Sequence, residues 1–260
     1  MIRRDWPRGA EPAERWYLIS QVEHARLSHQ LAAAWTPSFL PSHVREEFLA
    51  AVLHHDDGWL GWDAEPLIDP EHGRPSAFTE MPPAEAQRIW SDSIDACRAI
   101  GPLAGWVVAS HFTELQSKPD EDYAEWVDWL ELVRERRDAW LAEWLDASEQ
   151  NTPELADRCL AWLQALDWLS LWLCCLCPAE KEDQPIEPLV IGGEANPRLA
   201  WTAVTFTPHV RGGMRVTPWP FVEPCLDIRI DASVAPAEPG DAKGLAAARE
   251  PAELTWLLKP

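Results

Sequence analysis

LAWLQALDWLSLWLCCL, at residues 160–176, is an apolar stretch with one ionisable carboxylate, Asp167. The stretch is short for a bilayer span and also carries Gln164, so it predicts a helix in the protein core. A buried carboxylate without a partner is strongly destabilising, because its charge loses contact with water. The sequence therefore predicts that Asp167 is either protonated or placed beside a cation.

Histidines on other predicted helices could supply that partner. His24 follows Ser20, whose spacing to Glu23 is that of a capping box, and His55-Asp56 ends the next helix. Adjacent residues in mid-helix point about 100° apart, whereas at a helix end both can converge on one ion. Metal-dependent hydrolases mix imidazole nitrogen with carboxylate oxygen on rigid elements. We therefore predict a metal site, whose ligands are His24, His55, Asp56 and Asp167.

A further histidine, His111, lies on the apolar face of a helix predicted over residues 103–116. That face also carries Ala104, Val107, Val108 and Leu115. Two interpretations remain open for His111: a hydrogen-bonded core histidine, or a group that binds a second ion or the substrate. The other histidines are expected outside the site: His54 beside it, and His29, His43 and His209 at the surface.

A long loop rich in Pro, Gly and Asp is predicted over residues 59–83. Loops of this length in a compact domain are often functional. We expect Arg74 to contact an anionic group of the substrate, and His72 is a candidate for a second metal. Trp59 and Trp62 either form a wall of the pocket or pack in the core.

Composition limits the partners. Lys and Arg number 22 against 43 Asp and Glu, a formal net charge of −21. Such a surface repels phosphate backbones, so we expect neither nucleic-acid polymers nor membranes as partners. Small anionic substrates stay possible, because a bound metal ion outweighs a diffuse surface field. The N-terminal residues lack a signal-peptide pattern, which favours the cytoplasm. Nothing in the sequence indicates the oligomeric state.

The six cysteines do not resemble a secreted disulfide framework. Cys174 and Cys177 have CxxC spacing, but no second pair of ligands completes a zinc ribbon. We therefore interpret the cysteines as small core residues.

The fold expected for these 260 residues is mainly α-helical. Helices are predicted over residues 1–180, which form the metal-binding domain. Residues 181–260 are predicted to form a small β appendage packed on it, with strands at 199–206, 214–221, 226–231 and 254–259 that alternate apolar and polar side chains. A short strand predicted at residues 15–20 could join them.

The order His24, His55-Asp56, Asp167 on helices resembles the HD-domain superfamily of metal-dependent phosphohydrolases. The longer strings QVEHARLSHQLAAAW, AVLHHDDGWLGWD, GPLAGWVVASHF and LQALDWLSLWLC look like an uncharacterised bacterial branch of it, a domain-of-unknown-function family. The resemblance covers most of residues 15–177 and implies an HD-like helical bundle. It also implies extra histidine ligands where two ions bind, for which His72 and His111 are the candidates.

The function expected from these observations is a metal-dependent phosphohydrolase of a small phosphorylated metabolite or a nucleotide. One or two ions of Fe, Mn, Co, Zn or Mg would activate a water molecule. Asp56, His111 and Arg74 are the expected catalytic residues. Two alternatives stay open: a di-iron oxygenase of HD type, and a metal-binding or regulatory protein without catalysis.

Overall fold

The computed structural model describes residues 1–6, 13–116, 123–176, 186–200, 202–209 and 213–260. The helices in these ranges are α1 (Gln21–Ala34), α2 (Ser42–His54), α3 (Leu60–Ala64), α4 (Pro83–Ile100), α5 (Pro102–Leu115), α6 (Tyr123–Asp146), α7 (Pro153–Leu176) and α8 (Ala242–Ala248). The strands are β1 (Ile2–Trp6), β2 (Arg15–Ile19), β3 (Leu189–Gly192), β4 (Ala203–Pro208), β5 (Gly213–Thr217), β6 (Leu226–Pro236) and β7 (Glu250–Lys259).

Local sequence signals set several of these boundaries. The side chain of Ser20 accepts a hydrogen bond from the backbone N–H of Glu23 at 3.1 Å, which starts α1 where the capping spacing predicts it. Between α4 and α5 the chain turns at Gly101, and Pro102 occupies the first turn of α5, where its missing N–H costs nothing. The predicted strand at residues 15–20 is confirmed as β2.

The strands form one seven-stranded sheet in the order β1-β2-β6-β7-β5-β4-β3. Every neighbouring pair is antiparallel except β5 and β7, which are parallel. Along β7 the side chains of Leu254, Trp256 and Leu258 are buried while their neighbours are more exposed. One face of the sheet therefore packs against the helices, as the period of two requires.

The prediction of a mainly α-helical, HD-like bundle with a small β appendage is wrong. Strands from both ends of the chain build a single mixed sheet, because β2 pairs with β6 in register from Arg15↔Pro236 to Leu18↔Ser233. The pairing of distant segments has no local sequence signal, and β1 is a short polar segment, IRRDW, without clear alternation. The boundary expected near residue 180 lies outside the described residues, and the division into two domains stays a prediction.

Helix α7 is the centre of the helical layer. It packs against α1, α2 and α5, and α1 lies in turn against β6. Most of its apolar side chains are buried, whereas Trp168 is 57% exposed. The stretch at 160–176 is therefore a core helix, as predicted, and its neighbours are the helices that carry the candidate histidines.

None of the helices in the described part of the chain has the length and apolar character needed to cross a membrane. Cys174 is a free, buried thiol. Its CxxC partner, Cys177, lies outside the described residues.

A candidate metal centre among the helices

Three side chains from separate elements meet at the centre of the helical layer. Nε2 of His24 lies 2.8 Å from Oδ1 of Asp167, and Nε2 of His55 lies 3.3 Å from the same oxygen. His24 is 1% exposed, His55 is fully buried, and the side chain of Asp167 is 13% exposed. This buried group could hold a metal ion.

A second carboxylate borders the same point. Oδ2 of Asp56 lies 3.7 Å from Nε2 of His24 and 3.6 Å from Nε2 of His55. Metal bonds of about 2.0–2.2 Å to His and Asp would place neighbouring donor atoms roughly 3.0–3.5 Å apart. The distances from Asp56 to the two imidazoles are slightly above that range. Asp56 therefore borders the three residues His24, His55 and Asp167, whose ligand atoms all lie within 4.8 Å of one another.

The hydrogen bonds of His55 fix the role of its Nε2 atom. Its Nδ1 lies 2.8 Å from the carbonyl oxygen of Val52, to which only an N–H can donate. In the neutral imidazole this leaves Nε2 with a lone pair directed at Asp167. A backbone carbonyl in this position is a common orienting partner of a histidine that binds a metal.

His24 is oriented by a pair of buried serines. Its Nδ1 is hydrogen-bonded to Oγ of Ser170, which also receives a hydrogen bond of 2.8 Å from Ser28. Ser170 donates in turn to the backbone carbonyl of Asp167 at 3.1 Å. This set is satisfied when His24 donates its Nδ1 proton to Ser170, which leaves a lone pair on Nε2 here as well.

The electrostatics of the centre call for a cation. Burial would lower the pKa of His55, but the charge of Asp56 and the hydrogen bond with Asp167 outweigh burial and raise that pKa to about 9. Burial would raise the pKa of Asp167, but the hydrogen bonds of His24 and His55 hold it well below its usual range. For Asp56, burial dominates and raises the pKa. Without a metal, a proton on His55 supplies positive charge.

His54 and His55 diverge, as the helical spacing predicts. The side chain of His54 is 41% exposed, and its Nδ1 lies 2.8 Å from Oδ2 of Asp57. Asp57 opens a short turn whose Gly58 donates its N–H to Ser93 of α4. This turn holds Asp56 against the site.

His111 faces the centre from α5. Its Nε2 lies 3.8 Å from Oδ2 of Asp167, beyond hydrogen-bond distance, and its buried Nδ1 has no hydrogen-bond partner among the described residues. Burial dominates its titration and lowers the pKa to about 4, so the ring is neutral at pH 7. His111 is therefore an uncharged side chain whose Nδ1 atom has an unused hydrogen-bonding position in the described part of the chain.

A cavity of about 90 Å³ opens onto these groups. Five polar residues line it: Gln21, His24, Asp56, His111 and Asp167. Its other lining residues are apolar or aromatic: Trp59, Phe78, Met81, Trp90, Phe112, Leu115 and Leu171. Trp59 thus contributes to the wall of the cavity, whereas Trp62 is not among its lining residues. The cavity gives a small molecule access to His24, Asp56 and Asp167, whereas His55 is not among its lining residues.

The loop residues that were expected to reach the site are engaged elsewhere. Arg74 donates to Glu80 at 2.9 Å and lies 3.5 Å from Asp69, and it is not among the residues that line the cavity. His72 is half-exposed and bonded to Asp69 at 2.7 Å. Glu80 also accepts two hydrogen bonds from Arg3. The roles of Arg74 and His72 at the site stay predictions, and neither side chain contacts the four donor residues in the described structure.

Comparison with known proteins gives one match. Residues 10–236 match the family described as "Protein of unknown function (DUF3891)". The chain belongs to this family. The family match includes β2, all four donor residues and all of β6, so it covers both the helical layer and part of the sheet.

The same comparison corrects the recognition made from sequence. The resemblance to the HD-domain superfamily is not supported, because the matching family carries no HD designation. In addition, the structure contains a seven-stranded sheet, which the expected helical bundle does not have. No curated protein and no solved structure matches the chain. The function of this DUF3891 member is therefore inferred from the geometry of its own residues.

Sequence reasoning missed several members of the site. Gln21 is 4% exposed and lines the cavity, and its side-chain oxygen has no hydrogen-bond partner among the described residues. Ser170, which orients His24, follows Asp167 by three residues on α7, so the same helical face predicts it. Gln21 gives a weaker signal, since a polar residue at a helix start is usually solvated.

Proposed function

We propose that this protein is a metal-dependent hydrolase of a small molecule, with His24, His55, Asp56 and Asp167 as the metal ligands. One observation carries the proposal: the Nε2 atoms of both histidines, each with its Nδ1 engaged elsewhere, face two carboxylates at the floor of a cavity. A purely structural cluster would not need a cavity large enough to admit water and a ligand.

A divalent ion bound here would lower the pKa of a coordinated water and polarise the bond to be broken. The chain supplies the rest. Asp56 and Asp167 balance two positive charges, while Val52 and Ser170 fix the orientation of the imidazoles. The aromatic wall limits the entry of bulk water, which strengthens electrostatic interactions inside.

His111 is the proposed catalytic residue beside the ligands. Its ring is neutral at pH 7 and lines the cavity. A neutral imidazole there can donate a hydrogen bond to an oxygen atom on which negative charge develops during hydrolysis. Arg74 has less support as an anion contact, because Glu80 and Asp69 already pair with it. Arg74 was the main protein contact expected for a phosphorylated substrate, so that substrate class has less support as well.

Elemental analysis of the purified protein, combined with a panel of esters, amides and phosphoesters in the presence of Mn²⁺ or Co²⁺, tests the proposal. We expect at least one metal ion per chain and turnover of at least one substrate class. His111→Ala should retain the metal and lose about 100-fold or more in kcat, as removal of a charge-stabilising donor does.

The control is His43→Ala, because His43 is exposed on α2 and should leave both metal content and kcat unchanged. Absence of bound metal under all conditions would contradict the proposal. Two irons per chain with an oxygen-dependent change in the absorption spectrum would point to the oxygenase instead.

A further inference from the structure

We infer that the cavity selects a small uncharged substrate group, and that Gln21 is a specificity-determining residue that binds it. The inference rests on the proposed hydrolase function and adds a substrate class to it. It follows from three features of the cavity: its charge, its unpaired polar atoms and its size.

The charge of the site disfavours an anion. A divalent ion with Asp56 and Asp167 as ligands has no net charge, and none of the described residues that line the cavity is Lys or Arg. A phosphate group would therefore bring negative charge into an apolar, buried space without a counter-charge, which is strongly unfavourable. An uncharged group incurs no such penalty.

Gln21, which lines the cavity, carries an unsatisfied acceptor. Its side-chain oxygen is buried and has no hydrogen-bond partner among the described residues, although buried polar atoms are usually paired. The backbone of Gln21 is held in place, since its N–H donates to Oδ2 of Asp63 at 2.6 Å. His111 also lines the cavity, and its Nδ1 has no hydrogen-bond partner in the part of the chain that the structure describes. These atoms suit a neutral ligand that carries an N–H or O–H donor.

The size and the walls of the cavity restrict the ligand further. A volume of about 90 Å³ is well below the roughly 300–1,000 Å³ that is typical of ligand pockets. The cavity walls are largely aromatic and apolar, formed by side chains such as Trp59, Phe78, Trp90 and Phe112. The cavity would enclose a group of a few heavy atoms with an apolar substituent, whereas the base and ribose of a nucleotide would have to extend out of it.

The test compares two small ligands that bind divalent metals, acetohydroxamic acid and methylphosphonate, by titration calorimetry on the metal-loaded protein. Both carry one methyl group, but acetohydroxamic acid is neutral in solution, binds a metal ion as a monoanion and keeps its N–H donor, whereas methylphosphonate carries up to two negative charges and no N–H. We expect acetohydroxamic acid to bind at least about tenfold more tightly, a preference within the range that one unpaired polar group produces. Equal or tighter binding of methylphosphonate, or no binding of either probe, would overturn the inference.

Two kinds of variant assign the preference to the cavity. Gln21→Leu should weaken acetohydroxamic acid by about tenfold, while the melting temperature without ligand is unchanged or higher, because an unpaired buried polar atom has been removed. Leu115→Lys should improve methylphosphonate binding about tenfold by adding a cation to the cavity. The matched control is Leu132→Lys: Leu115 and Leu132 are 54% and 56% exposed, but only Leu115 lines the cavity. Unchanged selectivity in both Gln21→Leu and Leu115→Lys would contradict the inference.

The metal content of the same samples separates the two proposals. A protein that binds no metal removes the hydrolase proposal together with this inference. A protein that binds metal, hydrolyses a substrate and prefers methylphosphonate removes only the inference about the substrate.

Discussion

Nε2 of His24 and Oδ1 of Asp167 lie 2.8 Å apart, although 143 positions separate the two residues in the sequence. The contact joins α1 to α7, and the contact of His55 with the same oxygen ties the end of α2 to them. An ion bound between these groups would link α7 to α1 and to the end of α2, from which it is far removed along the chain. Metal binding should therefore affect the stability of the protein as well as its chemistry.

Replacing Asp167 should remove the metal. We expect Asp167→Ala to lower the metal content to less than about a tenth of an ion per chain. The substitution should also lower the melting temperature as far as chelation does, because the metal-free protein loses the stabilisation that metal binding gives the folded state. Asp157→Ala is the matched control, since Asp157 is an exposed carboxylate on the same helix. Mass spectrometric metal analysis and thermal denaturation check both. Wild-type metal content in Asp167→Ala would remove this residue from the site.

The two adjacent histidines should behave differently. His55→Ala should abolish metal binding, since its Nε2 faces Asp167, whereas His54→Ala should retain it, since His54 is paired with Asp57 at the surface. Titration of the metal-free variants with Co²⁺, followed by visible absorption, measures the affinity of each. Equal losses in the two variants would mean that the end of α2 is rotated relative to the structure.

The metal-free protein should lose stability as the pH rises. The pKa of His55 is raised from 6.5 to about 9 in the folded protein, because Asp56 and Asp167 outweigh burial. A raised pKa contributes stability that is fully present below pH 6.5 and is lost as the pH rises through 9. The size of the effect is roughly 3 kcal/mol in the free energy of unfolding.

Urea denaturation at pH 6.5 and pH 9, with and without a chelator, measures this dependence. Metal-loaded protein should show less of it, because the ion takes the place of the proton. His55→Gln should remove the dependence from the metal-free protein. A metal-free wild type that is as stable at pH 9 as at pH 6.5 would contradict the expected proton on His55.

The turn after Asp56 should tolerate no side chain at Gly58. A Cβ atom there would overlap the backbone carbonyl oxygen of Ile89 and approach N of Ser93 to 2.9 Å. Gly58→Ala should therefore lower the free energy of unfolding by about 2 kcal/mol or more and weaken metal binding by shifting Asp56. Gly61→Ala is the control: a Cβ at Gly61 meets nothing within 4 Å, so it should be neutral or stabilise by up to about 1 kcal/mol. Chemical denaturation of both variants decides between these outcomes.

The helical layer could be predicted from local patterns, and the sheet only in part. The capping pair Ser20 and Glu23 marks the start of α1, and Gly101-Pro102 marks the boundary between α4 and α5. Each signal spans only a few residues, so it can be recognised without knowledge of the tertiary structure. β1 and β3 were missed because they are short and their partners lie elsewhere. The parallel pairing of β5 with β7 has no local signature either.

For the candidate site, the sequence determined which side chains had to find partners. Asp167 in an apolar helix and His55-Asp56 at a helix end carry charges or donors that burial penalises, and that penalty depends on residue type alone. Only the tertiary structure decided that His24, His55 and Asp167 meet, with Asp56 beside them. It also decided that Gln21 and His111 border the cavity while Arg74 does not. The reason is that distances between segments far apart in the chain are set by how helices pack against each other and against the sheet, and no local pattern encodes them.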